Sequence, residues 1–140
     1  MTDKQKIEIK IADKSHVEQI SELEKICFPE APWSRESVYE DIQINDRATY
    51  MVCMSGSRVV AYGGFWKILD EGHITNIAVA PEFRQLGIGG FLVDNILKKG
   101  KADGIGVWTL EVRESNASAI RLYEKFGFEK IGLFKKYFKV

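Results

Sequence analysis

The stretch Val79-Ala80-Pro81-Glu82-Phe83-Arg84-Gln85-Leu86-Gly87-Ile88-Gly89-Gly90 decides the fold. It joins a β-forming run, residues 73–79, to a helix-forming run, residues 88–99, and carries three glycines in four positions. Glycine admits positive φ and lets a ligand come close to backbone N–H groups. The first turn of a helix leaves N–H donors without partners, and the helix dipole adds partial positive charge there. Such a loop is an anion site suited to phosphate. A tight strand-to-helix turn would need the same glycines, so the loop alone leaves both readings open. No Gly-Lys-Ser/Thr follows, which excludes a nucleotide-hydrolase P-loop. The GxGxxG of a dinucleotide fold is also absent, and the loop follows the fourth strand rather than the first.

Working outward, residues 6–12 alternate, with Ile7, Ile9 and Ile11 on one face of a strand. Ser15-His16-Val17-Glu18 has capping-box spacing, and Val17, Ile20, Leu23 and Ile26 follow at helical intervals. Pro29 and Pro32 end that helix; Ser34 then caps a second one carrying Val38 and Ile42. Residues 50–54 and 59–68 flank Ser55-Gly56-Ser57 as a hairpin, and Asp70-Glu71-Gly72 turns the chain into the strand over 73–79. Beyond the loop come a helix closed by Gly100 and Gly104 and a strand over 107–112. A helix over 118–126 stopped by Gly127 and a final strand from Phe128 onward complete the order βααβββαβαβ. This interleaving predicts a single α/β (α+β) domain over residues 1–140, without linkers or repeats.

Composition narrows the function. Twenty basic and twenty acidic residues give zero formal net charge, so neither nucleic acid nor an anionic membrane is expected as a partner. No apolar run approaches the length of a transmembrane helix. Residues 1–6 are polar rather than a signal-peptide core, which points to a cytoplasmic protein. The only cysteines and histidines, Cys27, Cys53, His16 and His73, are too scattered for a disulfide framework or a zinc site. No metal is expected, and both cysteines read as reduced, half-buried hydrophobes.

Arg84-Gln85-Leu86-Gly87-Ile88-Gly89 resembles the Arg/Gln-x-x-Gly-x-Gly/Ala signature of the GNAT acetyltransferase superfamily. The runs from His73 to Val79 and from Leu110 to Asn116 are similar to its RimI-type branch, the ribosomal-protein alanine N-acetyltransferases. Pro32-Trp33-Ser34 and Leu122-Tyr123-Glu124-Lys125-Phe126-Gly127-Phe128 belong to the same pattern, in order along nearly the whole chain. The resemblance implies a mixed, mostly antiparallel sheet with helices on both faces, in which the fourth strand splays from the fifth. It implies acetyl-CoA as co-substrate and no metal. Backbone groups of Ile77, Ala78 and Val79 would hold the pantetheine arm and face the acetyl carbonyl. Gln85, Leu86, Gly87, Ile88, Gly89 and Gly90 would hold the pyrophosphate, with Asn116 as a further cofactor contact.

The resemblance gives Glu111 the role of general base and Tyr123 that of the acid protonating the leaving thiolate. Each residue also has a plain reading. Alternation puts Thr109, Glu111 and Arg113 on one face of a strand, opposite Trp108, Leu110 and Val112, where Glu111 would serve equally as an ion-pair partner. Partial desolvation would favour the base. Ile120, Tyr123 and Phe126 form a helical stripe, so Tyr123 would also serve as a core aromatic. Asn116 is equally a helix N-cap, and Ile77 and Val79 are equally core strand residues. Trp33 and Tyr137 would border the acceptor site, although Trp33 also fits a hydrophobic staple ahead of Ser34.

The acceptor implied is a protein N-terminus, that of a ribosomal protein beginning with alanine, bound by a monomer or weak dimer. Free-energy arithmetic agrees with an α-amine: near pH 7 roughly 10–15% of such amines are neutral, against about 0.04% of lysine side chains. Similar proteins continue past the equivalent of Tyr137 into a last strand. This chain stops at Val140, so that strand is expected to be missing, leaving an edge open to pairing. A small-molecule amine acetyltransferase and a non-catalytic acyl-CoA-binding subunit are the alternatives on the same fold.

Overall fold

The computed structural model describes residues 6–112, 115–130 and 137–139. Its strands are β1 (Ile7–Ile11), β2 (Ala48–Ser55), β3 (Arg58–Ile68), β4 (Glu71–Val79), β5 (Val107–Glu111), β6 (Glu129–Lys130) and β7 (Tyr137–Lys139). Its α-helices are α1 (Val17–Cys27), α2 (Arg35–Gln43), α3 (Ile88–Ala102) and α4 (Ala117–Lys125). The strands form one sheet in the order β1-β2-β3-β4-β5-β7-β6. All neighbours are antiparallel except β4 and β5. The single final strand expected from Phe128 is two short ones, because β7 enters between β5 and β6 and hydrogen-bonds along both edges. Arg113 and residues 131–136 lie outside the described residues.

Alternation along β2 sends Met51 and Cys53 to one face, and Tyr50, Val52 and Met54 to the other. The first face packs under α3 and α4, on Leu92, Val93, Ile96 and Tyr123. The second packs under α1 and α2, on Val17, Ile20, Leu23 and Val38. Two irregularities shape the centre. Val60 is the extra residue where Cys53 pairs with Ala61 and Met54 with Val59, which turns both Val60 and Ala61 toward α3. Thr75 is the extra residue between the pairs Ile74–Phe65 and Asn76–Gly64.

Several local expectations change, among them the half-burial expected of Cys53. The capping box lies two residues earlier than expected, with Asp13 accepting from the Ser15 N–H and His16 answering to the Asp13 N–H at 3.0 Å. Helix α3 does not close at Gly100 but runs through it to Ala102. A Cβ at Gly100 would meet Trp108 Cζ2 at 2.1 Å, so this glycine makes room for the indole rather than ending the helix. Ile26, expected in the buried stripe of α1, is 55% exposed, and Glu24 takes the buried position at 0%. Ile11 of β1 is likewise exposed, while Ser34 caps α2 as expected by accepting from the Ser37 N–H at 3.1 Å. Cys53 is fully buried and Cys27 half-buried, both as free thiols.

Candidate active site

Pairing between β4 and β5 runs from Glu71–Val107 to Ile74–Leu110 and stops there. Beyond it, among the described residues, Thr75 to Val79 have only β3 as a neighbouring strand. The Ala80 N–H donates to the Val60 carbonyl at 2.8 Å. In an antiparallel ladder every second residue then turns toward β3, namely Ala78 and Asn76. Ile77 therefore directs its N–H and C=O groups, and Val79 its N–H, into the space that β5 vacates; the Val79 carbonyl accepts from Arg84. Of the three residues expected to face a pantetheine arm, Ala78 instead spends its backbone on β3.

That space opens into a cavity of about 890 Å³, within the size range of small-molecule sites. Ile77, Ala78, Val79, Gln85, Gly89, Glu111, Asn116, Tyr123 and Trp33 all line it. Leu86, Gly87, Ile88 and Gly90 do not line it; Ile88 is buried in the core and Leu86 points outward. Tyr137 enters by register alone, as the β7 partner of Glu111.

The loop is shaped for an anion. Gln85 and Gly87 both take positive φ, +63° and +83°, the kind of left-handed step from which anion-holding backbone turns are built. Gly87 is the N-cap of α3 and offers no side-chain acceptor, and the first intrahelical bond is Phe91 N–H to Gly87 O at 3.0 Å. The N–H groups of Ile88, Gly89 and Gly90 therefore have no partner within the helix. No acidic residue opposes an anion in that turn. Arg84 is committed elsewhere: its Nε donates to the Val79 carbonyl at 3.0 Å and its Nη2 to Cys27 Sγ at 3.4 Å. It ties the end of β4 to the loop and to α1.

Glu111 ends β5 and is exposed, without the partial desolvation expected of it. His73, half-buried one strand away, pairs its Nδ1 with Thr109 Oγ1 at 3.1 Å. Burial pushes its imidazole below the ordinary value while the charge of Glu111 pulls it back up, so the two sense each other electrostatically. Tyr123 is 6% exposed and packs edge-on against Phe128, with ring centroids 5.8 Å apart. Burial pushes its phenol well above the usual tyrosine range. It combines the core role and the cavity position that the sequence left as alternatives. Asn116 does so too, accepting from the Ala119 N–H at 3.2 Å as the N-cap of α4 while lining the cavity.

Sequence reasoning missed the far wall. Phe28, Thr75 and Asn76 line it, and Glu24 stands behind it, fully buried. The only signal in the sequence was spacing: Glu24 follows Ile20 by four and Val17 by seven, on the buried face of α1.

A splayed parallel pair beside a helix start with unpaired N–H groups is the arrangement that the resemblance implies for an acyl-CoA-dependent transferase. The chain matches the Acetyltransferase (GNAT) family over residues 17–128 and belongs to it; it is an acetyl-CoA-dependent N-acetyltransferase. Escherichia coli (strain K12) has a [ribosomal protein bS18]-alanine N-acetyltransferase 31% identical over 129 residues, covering 85% of this chain and 86% of that one. The crystal structure of the Escherichia coli ribosomal-protein-S18-alanine N-acetyltransferase superposes with a TM-score of 0.84 at 23% identity, covering 95% and 90%. That of the Thermoplasma acidophilum PaiA N-acetyltransferase in complex with coenzyme A gives 0.82 at 19% identity, covering 95% and 97%.

Proposed function

We propose that this enzyme acetylates the N-terminal α-amino group of a ribosomal protein whose first residue is alanine, by direct attack within a ternary complex. The observation that carries the reading is the splay of β4 from β5, which gathers Glu111, Tyr123 and Trp33 around one cavity. The name of the Escherichia coli relative supports the acceptor. In this reading coenzyme A pyrophosphate accepts from the N–H groups of Ile88, Gly89 and Gly90, with Gln85, Leu86 and Gly87 shaping the turn. The pantetheine arm pairs with Ile77 and Val79, and the acetyl carbonyl faces an N–H prepositioned on β4.

Glu111 takes a proton from the ammonium, directly or through water, and the neutral amine attacks the thioester carbon. The C–N bond forms and the C–S bond breaks; the departing thiolate receives a proton from Tyr123, and the proton that the nitrogen sheds in becoming an amide returns to the tyrosine through water. The raised phenol keeps Tyr123 protonated throughout the neutral range. Transfer to a thiolate whose conjugate acid lies near 8.5 is uphill by itself, and it is driven by the strongly acidic N–H of the addition product, whose proton replaces the one the tyrosine gives. Trp33 and Tyr137 flank the incoming peptide.

The test is acetyl transfer to a peptide beginning with alanine, set against polyamines and amino sugars. Peptide turnover is expected; turnover of the small amines alone would sink the reading. Glu111→Gln should lower kcat about 10²–10³-fold with acetyl-CoA affinity intact, as should Tyr123→Phe, within the range of a lost acid or base.

A further inference from the structure

Glu24 lies behind the acceptor half of the cavity without lining it, and joins the parts that do. Its Oε1 accepts from the Trp33 N–H at 2.8 Å, in the loop between α1 and α2. Its Oε2 accepts from the Tyr62 hydroxyl on β3 and from Asn76 Nδ2 on β4. Asn76 directly follows the bulged Thr75, at the point where β4 leaves β5. Trp33 and Asn76 both line the cavity. One fully buried carboxylate thus fixes the loop on one side of the acceptor space and the splayed strand on the other.

Burial of a carboxylate is costly unless its lone pairs are filled, and here three donors fill them. Burial pushes the Glu24 carboxyl above its ordinary value, against the hydrogen bonds from Trp33 and Asn76 that hold it down. An apolar residue of similar volume would fill the same core space. It would leave the Trp33 N–H, the Asn76 amide and the Tyr62 hydroxyl to find other partners.

We propose that Glu24 is a positioning residue for the acceptor, setting the distance between the Trp33 loop and β4 while leaving the coenzyme site untouched. None of its hydrogen-bond partners belongs to the loop of residues 84–90. The inference rests on the peptide-acceptor reading above. Asp41 supplies the control. It is also buried and also fills its oxygens from three donors, Tyr50 at 2.8 Å, Trp66 at 3.0 Å and Asn45 at 3.1 Å. None of these three lines the cavity.

The experiment compares wild type, Glu24→Gln and Asp41→Asn in acetyl transfer to the alanine peptide, with acetyl-CoA affinity measured by calorimetry. Glu24→Gln should raise the acceptor KM about tenfold or more, as misplacement of a binding wall does. Acetyl-CoA affinity should stay within about twofold, since the anion site is elsewhere. Asp41→Asn should show no such split. Equal behaviour of the two variants, or a shift of both substrates together, overturns the proposal. If Glu24→Gln cannot be recovered folded, Tyr62→Phe removes one donor while keeping the ring that stacks on Tyr50. A rise in acceptor KM of about threefold then supports the assignment, and no rise overturns it. If wild type itself does not acetylate the peptide, the acceptor reading has failed and hydrogen exchange decides the positioning role. Faster exchange at the Trp33 amide in Glu24→Gln than in Asp41→Asn supports it, and equal exchange overturns it.

Discussion

An added Cβ at Gly87 meets no atom within 4 Å, so space alone would admit alanine there. The obstacle is its φ of +83°, which costs an L-residue about 1 kcal/mol or somewhat more. Gly89 reverses the argument: it sits in the first turn of α3 with ordinary φ, and a Cβ would stand 3.4 Å from Leu122 Cδ2. Gly87→Ala should therefore lower unfolding stability by about 1 kcal/mol, while Gly89→Ala should leave it unchanged or raise it by up to about 1 kcal/mol. Urea titration of the two variants checks both signs. The difference gives a physical reason why the signature accepts alanine at its last position and not at its first glycine. The glycine loop stood out by its composition, whereas Glu111 and Tyr123 were singled out only by the resemblance, since spacing alone gave them ion-pair and core readings. Glu24 was not, because a charged residue on a helix is ordinary until packing buries it, and packing comes from β3 and β4, far away in sequence.

Most elements were legible from periodicity and turn chemistry, and the exceptions were decided by neighbours. Gly100 is the clearest: a glycine near the end of a helical run reads as a stop signal, yet α3 continues because Trp108 of β5 needs the space. Trp108 is buried and held edge-on by Phe65 at 5.2 Å, so it has little freedom to yield. Gly100→Ala would bring Cβ within 2.4 Å of two indole carbons. Helix propensity favours alanine by up to about 1 kcal/mol, but overpacking against a locked ring costs about 1–3 kcal/mol or more. The expected outcome is a net loss of about 2 kcal/mol, read from the urea midpoint at unchanged slope. A stabilised variant would mean that Trp108 repacks, and the α3–β5 contact would then not set the position of Glu111 at the end of the same strand.

At the scale of the whole molecule, local patterning recorded neither the splay, which only the family resemblance implied, nor the order of the last two strands. Both depend on which strands share an edge, and local patterning does not record that. Burial on both faces of the sheet has a consequence that covers the whole domain. It pushes the Cys53 thiol up to about 12 and raises the Tyr50 and Tyr123 phenols beyond their usual range, with Cys27 displaced in the same direction. The unfolded chain loses these protons near the ordinary values of 9.0 for the thiols and 10.0 for the phenols. Above those values the native state holds protons that the unfolded state has released, so stability falls as pH rises. Each well-buried group removes about 1.4 kcal/mol per pH unit within its window. Between pH 9 and 10 the thiols act alone, and above pH 10 the phenols join them and steepen the fall. Replacing Cys53 with alanine costs a constant packing term at every pH and removes one titrating group. Urea unfolding of wild type and Cys53→Ala at half-unit steps from pH 8 to 11 should therefore give curves that converge above pH 9, by about 1.4 kcal/mol per unit. Parallel curves would show that the Cys53 thiolate is already solvated in the native state, contrary to its full burial on β2.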